Sequence, residues 1–331
     1  MTYISSPSLN HPLRVGLVGT GYAAKLRAET LQQDERSQLV AVVGHTQEKT
    51  AAFSQTYRAL VVNSWEQLVE RKDIDLIVVC TINKDHGAIA RAALQNHKHV
   101  IVEYPLSLDP AEAEELIALA QEKNQLLHVE HIELLGGLHQ ALKQNLPTIG
   151  TVFYARYSTI NPQRPAQERW TYNQNLFGFP LSGALSRIFR FTDLFGTVAT
   201  VSCQNRYWGT DTEFYQACLC SAQLRFTSGV IAEVTYGKGE TLWQDERKFE
   251  VHGSQGGLIF DKDEGILVQE STTPIEVGSR RGLFAKDTGI VLDHLLAGKP
   301  LYVTPTQSLY ALKVADAARR SAETGKSVTM E

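Results

Sequence analysis

From residue 14 to residue 129 the sequence alternates short, unbroken runs of Val, Ile and Leu with helical patterns, and this alternation constrains the fold more than any other feature. Unbroken apolar runs are typical of parallel strands that helices cover on both faces. The alternation therefore predicts an α/β domain with a doubly wound parallel sheet. The predicted strands are 14–18, 39–43, 60–62, 76–80, 100–102 and 126–129.

After residue 150 the segments become longer and richer in β-branched and aromatic residues, with turn signals such as Ser228-Gly229 and Gly256-Gly257 between them. This pattern predicts a second, α+β domain with a large, mostly antiparallel open sheet. Helices are expected over 182–195, 288–296 and 307–324. The stretch 160–180 is irregular and rich in Pro, Asn, Gln and aromatic residues, and loops of this length are often functional.

Composition excludes several classes of protein. The chain has 331 residues, enough for two domains, and its 43% hydrophobic and 21% charged residues are ordinary for a globular protein. A net charge of −4 gives no sign of a nucleic-acid-binding or membrane-surface protein. No apolar run is long enough to span a bilayer, and the N-terminus lacks the pattern of a signal peptide, so a cytoplasmic location is expected. The cysteines lack CxxC and zinc spacings, which predicts reduced thiols and no metal site.

A glycine-rich motif follows the first predicted strand and opens the first helix. It reads Gly19-Thr-Gly-Tyr-Ala-Ala24 and matches the pattern G-x-G-x-x-G/A in its required context. The first glycine permits the tight turn, the second lets the backbone approach a pyrophosphate, and Ala24 keeps the helix close to the strand. The motif predicts a dinucleotide site with contacts from Gly19, Thr20, Gly21, Tyr22 and Ala23.

The end of the second strand indicates which dinucleotide binds. NAD-specific sites place Asp or Glu there to accept a hydrogen bond from the ribose 2′-hydroxyl. This chain instead has Gly44, and His45, Thr46 and Lys49 are available to donate to a 2′-phosphate. NADPH is therefore favoured, and Glu48 keeps NADH open as the weaker alternative.

Three stretches together resemble the Gfo/Idh/MocA oxidoreductase family: the glycine-rich motif, "CTINKDH" (80–86) and "AALQNHKHVIVEYPLSLDPAEAEEL" (92–116). The resemblance implies a Rossmann domain, assigned to residues 1–127 as the NADP-binding domain, and a substrate-binding sheet domain at 128–331. It also implies that the C-terminal sheet can mediate oligomerisation. Further cofactor contacts are expected from Thr81, Ile82, Asn83, His86, Glu103 and Tyr104.

The chain departs from that family at two motifs. Members usually carry Glu-Lys-Pro where this chain has Glu103-Tyr104-Pro105, and a helical histidine acts as their acid–base group where this chain has Arg190. Alcohol oxidation needs a base whose pKa lies near the working pH, and arginine, with a pKa above about 12, is a poor base. The departures argue against sugar dehydrogenase chemistry.

Within the family, the chain resembles the biliverdin reductase branch, the cyanobacterial members in particular. The similar runs include "HVEHIELLGG" (128–137), "RWTY" (169–172), "ALSRIFRFTDLFGTV" (184–198) and "YGKGE" (236–240). This resemblance implies NADPH-dependent reduction of a linear tetrapyrrole, biliverdin, to bilirubin. Such a site needs flat apolar walls, cations for two propionates and a proton source.

Tyr104 and Arg187 are the candidate catalytic groups, and Arg190 is a candidate substrate-binding residue. Tyr104 follows a parallel strand at its carboxyl end, where open α/β sheets bind ligands, and its phenol either donates a proton or packs against the cofactor. Arg187 and Arg190 share one face of a predicted helix and suit recognition of carboxylates or carbonyls. The resemblance favours Arg187 as the residue nearest the pigment. The alternative for either arginine is a structural ion pair, for instance between Arg190 and Asp193.

The remaining substrate-binding candidates are His128, His131, Trp170, Tyr172 and Arg280. The histidines are either cleft residues or structural hydrogen-bonding groups, and the loop aromatics either stack on the pigment or hold the loop down. Arg280 is either a propionate contact or part of a solvated turn. Two other functions stay open: a sugar or polyol oxidoreductase that uses Tyr104 as its acid–base group, and a dinucleotide-binding regulator without activity.

Overall fold

The computed structural model of the chain describes residues 12–330. Two compact units emerge from the distribution of contacts. The first contains the described part of Met1–Ile132 together with Gly282–Leu309, and the second contains Glu133–Arg281 and the described part of Tyr310–Glu331. The predicted boundary between residues 127 and 128 stays a prediction.

The strands are β1 (Leu13–Val18), β2 (Ser37–Val43), β3 (Leu60–Val61), β4 (Leu76–Val79), β5 (His99–Val102), β6 (Leu127–Val129), β7 (Val152–Pro162), β8 (Val198–Trp208), β9 (Ala217–Phe226), β10 (Ile231–Gly239), β11 (Glu246–Gly253), β12 (Gly256–Asp261), β13 (Glu264–Val268), β14 (Thr272–Ile275) and β15 (Val328–Thr329). The α-helices are α1 (Tyr22–Gln33), α2 (Gln47–Tyr57), α3 (Trp65–Glu70), α4 (His86–Gln95), α5 (Pro110–Glu122), α6 (Gly137–Asn145), α7 (Gln174–Phe177), α8 (Pro180–Gly183), α9 (Ser186–Phe195), α10 (Leu283–Ala297) and α11 (Pro305–Thr324).

The first unit contains a parallel sheet in the order β3-β2-β1-β4-β5-β6, six strands within the part of the chain that the structure describes. All four residues of β4 are buried, as expected for an unbroken apolar run in the middle of a sheet covered on both faces. The order reverses direction between β1 and β4, and ligands of open α/β sheets bind at such a point. The prediction of a doubly wound parallel sheet is confirmed.

Local sequence signals set where the helices of this unit begin. Side chains of Thr46, Ser64 and Asp109 cap α2, α3 and α5, and Pro110 occupies the first turn of α5. By contrast, the N-cap of α1 is Gly21, which offers no capping side chain. The amide groups at the start of α1 are therefore left for a ligand.

The second unit contains a large sheet in the order β14-β13-β12-β11-β7-β10-β9-β8-β15, which is nine strands within residues 12–330. The pair β7–β10 is parallel and the other neighbouring pairs are antiparallel, so the predicted mostly antiparallel sheet is confirmed. One face carries the buried aromatic residues Phe226, Phe249 and Phe260, and Phe191 of α9 packs on Phe249. β13, β14 and β15 were not predicted from the sequence because they are short, with five, four and two residues.

Candidate active site

The glycine-rich loop of the first unit has the geometry of a phosphate cradle. Gly19 has a φ of +119°, and a Cβ atom there would lie 2.1 Å from the carbonyl oxygen of Cys80, so only glycine fits. A Cβ atom on Gly21 would meet no described atom within 4 Å, so the backbone at that point faces open space. Ala24 is fully buried against the sheet. With the uncapped start of α1, these features fit a dinucleotide pyrophosphate.

The tip of β2 carries donors at the position that selects between dinucleotides. His45, Thr46 and Lys49 are exposed there, and the hydroxyl of Thr46 caps α2 by accepting a hydrogen bond from the Lys49 amide. Glu48 lies in the first turn of α2 and is also exposed. Because the tip itself carries no carboxylate, it suits a 2′-phosphate better than a free 2′-hydroxyl.

Two loops at the carboxyl edge of the parallel sheet are joined by His86. Its Nδ1 lies 2.8 Å from the carbonyl oxygen of Pro105, and its Nε2 lies 3.2 Å from that of Thr81. Burial lowers the pKa of His86, although both contacts act in the opposite direction. Ile82 is half-buried and Asn83 buried in the same loop. The His86 side chain therefore orders the predicted cofactor loop by contacts with backbone carbonyl groups.

Glu103 anchors the loop after β5. Its carboxylate accepts hydrogen bonds from the Arg27 guanidinium at 3.0 and 3.1 Å, and Arg27 is buried. Arg27 also donates to Asp287 and Thr288, which both belong to α10. A buried arginine with carboxylate partners fixes its neighbours firmly because removing either partner leaves an uncompensated charge.

Next to Glu103, Tyr104 is half-buried and its ring stacks on His131. The ring centroids are 5.3 Å apart and the planes are 6° from parallel. The Nε2 atom of His131 lies 2.8 Å from the Ser308 hydroxyl, and the backbone amide of His131 donates to the Tyr302 hydroxyl. Burial lowers the pKa of His131 to about 3, so its ring is neutral at working pH. His131 thus supports the Tyr104 ring from within the protein.

His128 has a structural environment rather than that of a cleft residue. Only 1% of its side chain is exposed, and Nε2 lies 2.8 Å from the Asp287 carboxylate. Tyr302 donates to the same carboxylate at 2.6 Å. Burial would raise the pKa of Asp287, but Arg27 and His128 hold it well below its usual range. The structural alternative left open for His128 accounts for these contacts, and the substrate-binding assignment does not.

In the second unit, α9 places Arg187 and Arg190 in different environments. Arg187 is half-buried, donates from Nη1 to the Ser186 hydroxyl at 3.0 Å, and lies 5.4 Å from the centroid of the Tyr236 ring. Arg190 is buried and donates to Glu133 at 2.5 Å. Asp193, the example given of a partner for Arg190, instead accepts hydrogen bonds from His139 and Lys143. The structural ion pair considered for Arg190 forms with Glu133.

Glu133 also accepts a hydrogen bond from Arg280 at 2.8 Å. Burial would raise the pKa of Glu133, but Arg190 and Arg280 lower it to about 2. Both arginines are thus engaged by one carboxylate within the protein, which argues for structural roles. Arg280 remains about half exposed, so its side chain keeps access to solvent.

The aromatic candidates of the irregular segment are placed differently from each other. Tyr172 is 1% exposed and packs on the Tyr215 ring at 5.5 Å, so neither face of its ring is open for stacking. Trp170 is half-buried and lies 5.8 Å from the Phe177 ring. These contacts of Tyr172 fit the alternative in which its side chain holds the loop down, and they argue against stacking on a pigment. Trp170 and Phe179 are half-buried and keep partly accessible side chains.

Comparison with known proteins places these features in a family. Residues 13–131 match the Gfo/Idh/MocA "Oxidoreductase family, NAD-binding Rossmann fold", and residues 143–330 match the "C-terminal alpha/beta domain" of the same family. The chain belongs to the Gfo/Idh/MocA oxidoreductase family. It is an NAD(P)-dependent oxidoreductase.

Among solved structures, this Gfo/Idh/MocA oxidoreductase is similar to a biliverdin reductase from Synechocystis sp. PCC 6803, determined in complex with biliverdin and NADP⁺. The TM-score is 0.93 and the identity 56%, over 94% of this chain and 99% of the other. Mouse biliverdin reductase A is 27% identical over 77% of this chain and 85% of its own length. A dTDP-3,4-didehydro-2,6-dideoxy-alpha-D-glucose 3-reductase from Actinomadura kijaniata is 27% identical over 78% of this chain and 77% of its own length.

Some buried charged residues of this oxidoreductase were not among the site candidates predicted from its sequence. Asp287 connects Arg27, His128 and Tyr302, and Lys238 is buried among aromatic rings in the second unit. Neither belongs to a short motif with a known mechanism. The signal available for Lys238 was a lysine flanked by two glycines, in the quoted run "YGKGE".

Two general properties complete the description. Across residues 12–330 no helix is both long enough and apolar enough to cross a bilayer. Within the same residues no group of three His, Cys, Asp or Glu side chains converges as metal ligands do, and the four cysteines are buried free thiols.

Proposed function

We propose that this chain reduces biliverdin to bilirubin with NADPH. The observation that carries the proposal is the 56% identity, over 94% of the chain, to the Synechocystis enzyme that was solved with biliverdin and NADP⁺. The reaction adds a hydride to the central methine carbon and a proton to a neighbouring pyrrole nitrogen. NADPH supplies the hydride when it is bound.

The first unit offers residues that would bind both the pyrophosphate and the 2′-phosphate of the cofactor. The backbone of Gly19–Ala23 and the start of α1 would hold the pyrophosphate by amide hydrogen bonds. His45, Thr46 and Lys49 would hold the 2′-phosphate by charge-assisted hydrogen bonds. This donor set supports NADPH over NADH, which we propose as a weaker cofactor.

Tyr104 is the proposed proton donor. It lies at the carboxyl end of β5, and its ring orientation is set by the neutral His131 ring beneath it. A phenol donates a proton without needing the acid–base histidine of the sugar dehydrogenases, whose position is occupied here by Arg190 in an ion pair with Glu133. Because arginine stays protonated and this one is paired with a carboxylate, Arg190 does not act as a general base.

Arg187 is the residue proposed to bind the negatively charged or polar groups of the pigment. Its guanidinium is half-buried on α9 above the Tyr236 ring, where a forked donor suits a propionate or lactam oxygen. Trp170 is the proposed flat wall for the conjugated rings.

A cytoplasmic location and oligomerisation through the sheet of the second unit stay predictions.

A direct assay tests the proposal. The protein is mixed with NADPH and biliverdin between acidic and neutral pH, and the loss of the blue-green pigment absorbance is followed with formation of the yellow product. We expect turnover that requires NADPH. Cofactor binding without pigment turnover at any pH in this range would reject the proposal, and sugar-dependent oxidation or reduction of the cofactor would favour the sugar oxidoreductase alternative.

A further inference from the structure

Lys238 of β10 is buried in a cage of aromatic rings in the second unit. Its side chain is 6% exposed, and four ring centroids lie within 6.0 Å of its amine nitrogen. The distances are 4.1 Å to Phe177, 4.7 Å to Tyr172, 5.5 Å to Tyr215 and 6.0 Å to Tyr236. Ring faces attract a cation, so the cage stabilises the ammonium form.

The amine donates a hydrogen bond to the backbone carbonyl of Thr171. The same carbonyl accepts from the Tyr215 hydroxyl at 3.1 Å, and the Tyr215 amide donates to the Tyr172 carbonyl at 2.9 Å. Among residues 12–330, no carboxylate forms an ion pair with Lys238. A buried ammonium without a carboxylate is costly, and a methionine of similar length would fill the space without that cost. The charge of Lys238 therefore has a role that packing alone does not explain.

What Lys238 holds is the irregular segment Arg169–Phe177. Thr171 follows Trp170 directly, and the hydrogen bonds to its carbonyl attach the segment to β10 and to the residues before β9. Beyond that point, the Asn173 side chain caps the short helix α7 and orders the rest of the segment. The attachment at Thr171 therefore sets where the Trp170 side chain lies.

We propose that Lys238 is a positioning residue, whose ammonium fixes the segment Arg169–Phe177 on the sheet and thereby places Trp170 for a flat substrate. The choice of substrate rests on the proposed function, whereas the attachment of the segment does not. This assigns to a residue of β10 a role in substrate binding that acts through the position of Trp170.

The charge on Lys238 is sensitive to pH in an accessible range. Burial lowers its pKa to about 8; Arg169 on the segment and Arg187 on α9 act in the same direction, and Cys218 on β9 opposes them. Deprotonation removes the attraction to the rings and the charge-assisted hydrogen bond to Thr171. The segment is thus held below pH 8 and loosens above it.

The first test needs no substrate. Trypsin cleavage after Arg169, which is exposed, is followed by mass spectrometry from pH 7 to pH 9 in the full chain, with other cleavage sites as the internal reference. Wild type is expected to resist cleavage at Arg169 at pH 7 and to lose resistance through pH 8. Lys238→Met should be cleaved quickly at both ends of the range. Lys262→Met, which changes an exposed lysine of the same unit, should follow wild type.

The second test uses NADPH and biliverdin. Lys238→Met is expected to raise KM for biliverdin about tenfold, the usual size of a lost charge-assisted hydrogen bond, with kcat and the KM for NADPH nearly unchanged. Lys238→Arg should recover part of the lost affinity for biliverdin. The recovery should persist at pH 9, because arginine stays charged.

Equal resistance of wild type and Lys238→Met at Arg169, with no change across pH 8 in wild type, overturns the inference. If Lys238→Met fails to fold, the pH series on wild type decides alone. If wild type leaves biliverdin unchanged, the proposed function fails, while the proteolysis result still decides the role of Lys238.

Discussion

The ring of Tyr104 stacks on the ring of His131, with centroids 5.3 Å apart and planes 6° from parallel. Tyr104 lies two residues after β5 and His131 two residues after the neighbouring strand β6, so adjacent strands of the parallel sheet bring the two rings together. His131 is buried and tied to Ser308, and Tyr104 is half-buried. The buried ring therefore supports the one that is proposed to meet the substrate.

His131 should affect turnover through Tyr104. We expect His131→Ala to lower kcat about 3- to 10-fold, the range of an aromatic pair, without a matching change in the Kd for NADPH. His131→Phe keeps a flat ring under Tyr104 and should retain most of the activity. Equal losses in both variants would show that the stacked ring is not what matters. Because the pKa of His131 is about 3, its protonation should leave no step in the rate between pH 5 and 8.

Tyr104→Phe separates proton donation from packing. The variant keeps the ring that stacks on His131 and loses only the hydroxyl, so kcat should fall about 100-fold if the phenol donates the proton. The KM for NADPH should stay within about twofold, since general acid loss acts on the transition state. Near-full activity of Tyr104→Phe would make Tyr104 a packing residue and would shift the proton to a water-mediated route. Arg187→Lys, which keeps the charge but not the fork, is the companion measurement for the pigment contact.

Gly21→Ala should weaken NADPH binding without destabilising the fold. The added Cβ meets no described atom within 4 Å and the φ of Gly21 is −81°, so the loop tolerates alanine. The methyl group would project from the uncapped start of α1 toward the pyrophosphate, and we expect the Kd for NADPH to rise at least about tenfold.

Gly289→Ala is the matched control, because it also meets no described atom within 4 Å but lies inside α10. Its Tm should rise slightly, as expected for alanine in a helix, and its Kd for NADPH should stay at the wild-type value. Unchanged NADPH binding by Gly21→Ala, measured by fluorescence titration, contradicts the assignment of the loop.

The carboxylate of Glu133 should stabilise the second unit in a pH-dependent way. Its pKa is lowered from 4.5 to about 2, so its contribution is fully present above pH 4.5 and is lost as the pH falls toward 2. At pH 7, Glu133→Gln leaves the buried Arg190 without its partner and should reduce the free energy of unfolding by about 2–4 kcal/mol. Urea denaturation of this variant is compared with Glu246→Gln, whose pair with Arg156 is more exposed to solvent and should be worth less than about 1 kcal/mol. A Glu133→Gln protein as stable as wild type at pH 7 would exclude this role.

Features encoded by a few neighbouring residues were predictable from the sequence. The turn at Gly19, the uncapped start of α1 and the run of β5 into Tyr104 follow from short-range sterics and apolar patterning. The segment 160–180 was also recognised as irregular, although β7 extends to Pro162.

Partners that are distant along the chain were not predictable from one sequence. Arg190 and Glu133 are 57 residues apart, and Arg27 and Asp287 are 260 apart, so no local pattern links them. Asp193 looked the better partner for Arg190 because it lies one turn away on the same helix, but packing turns it toward His139. Burial of Tyr172 likewise depends on Tyr215, which is contributed by another segment.

The most direct test of the central claim is the fate of the hydride. Biliverdin is reduced with NADPH that carries deuterium at both C4 positions, and the product is analysed by mass spectrometry and proton NMR. The account predicts bilirubin with one deuterium on the central bridging carbon. Bilirubin without deuterium at that carbon, or recovery of unchanged biliverdin from protein that binds NADPH, would contradict it.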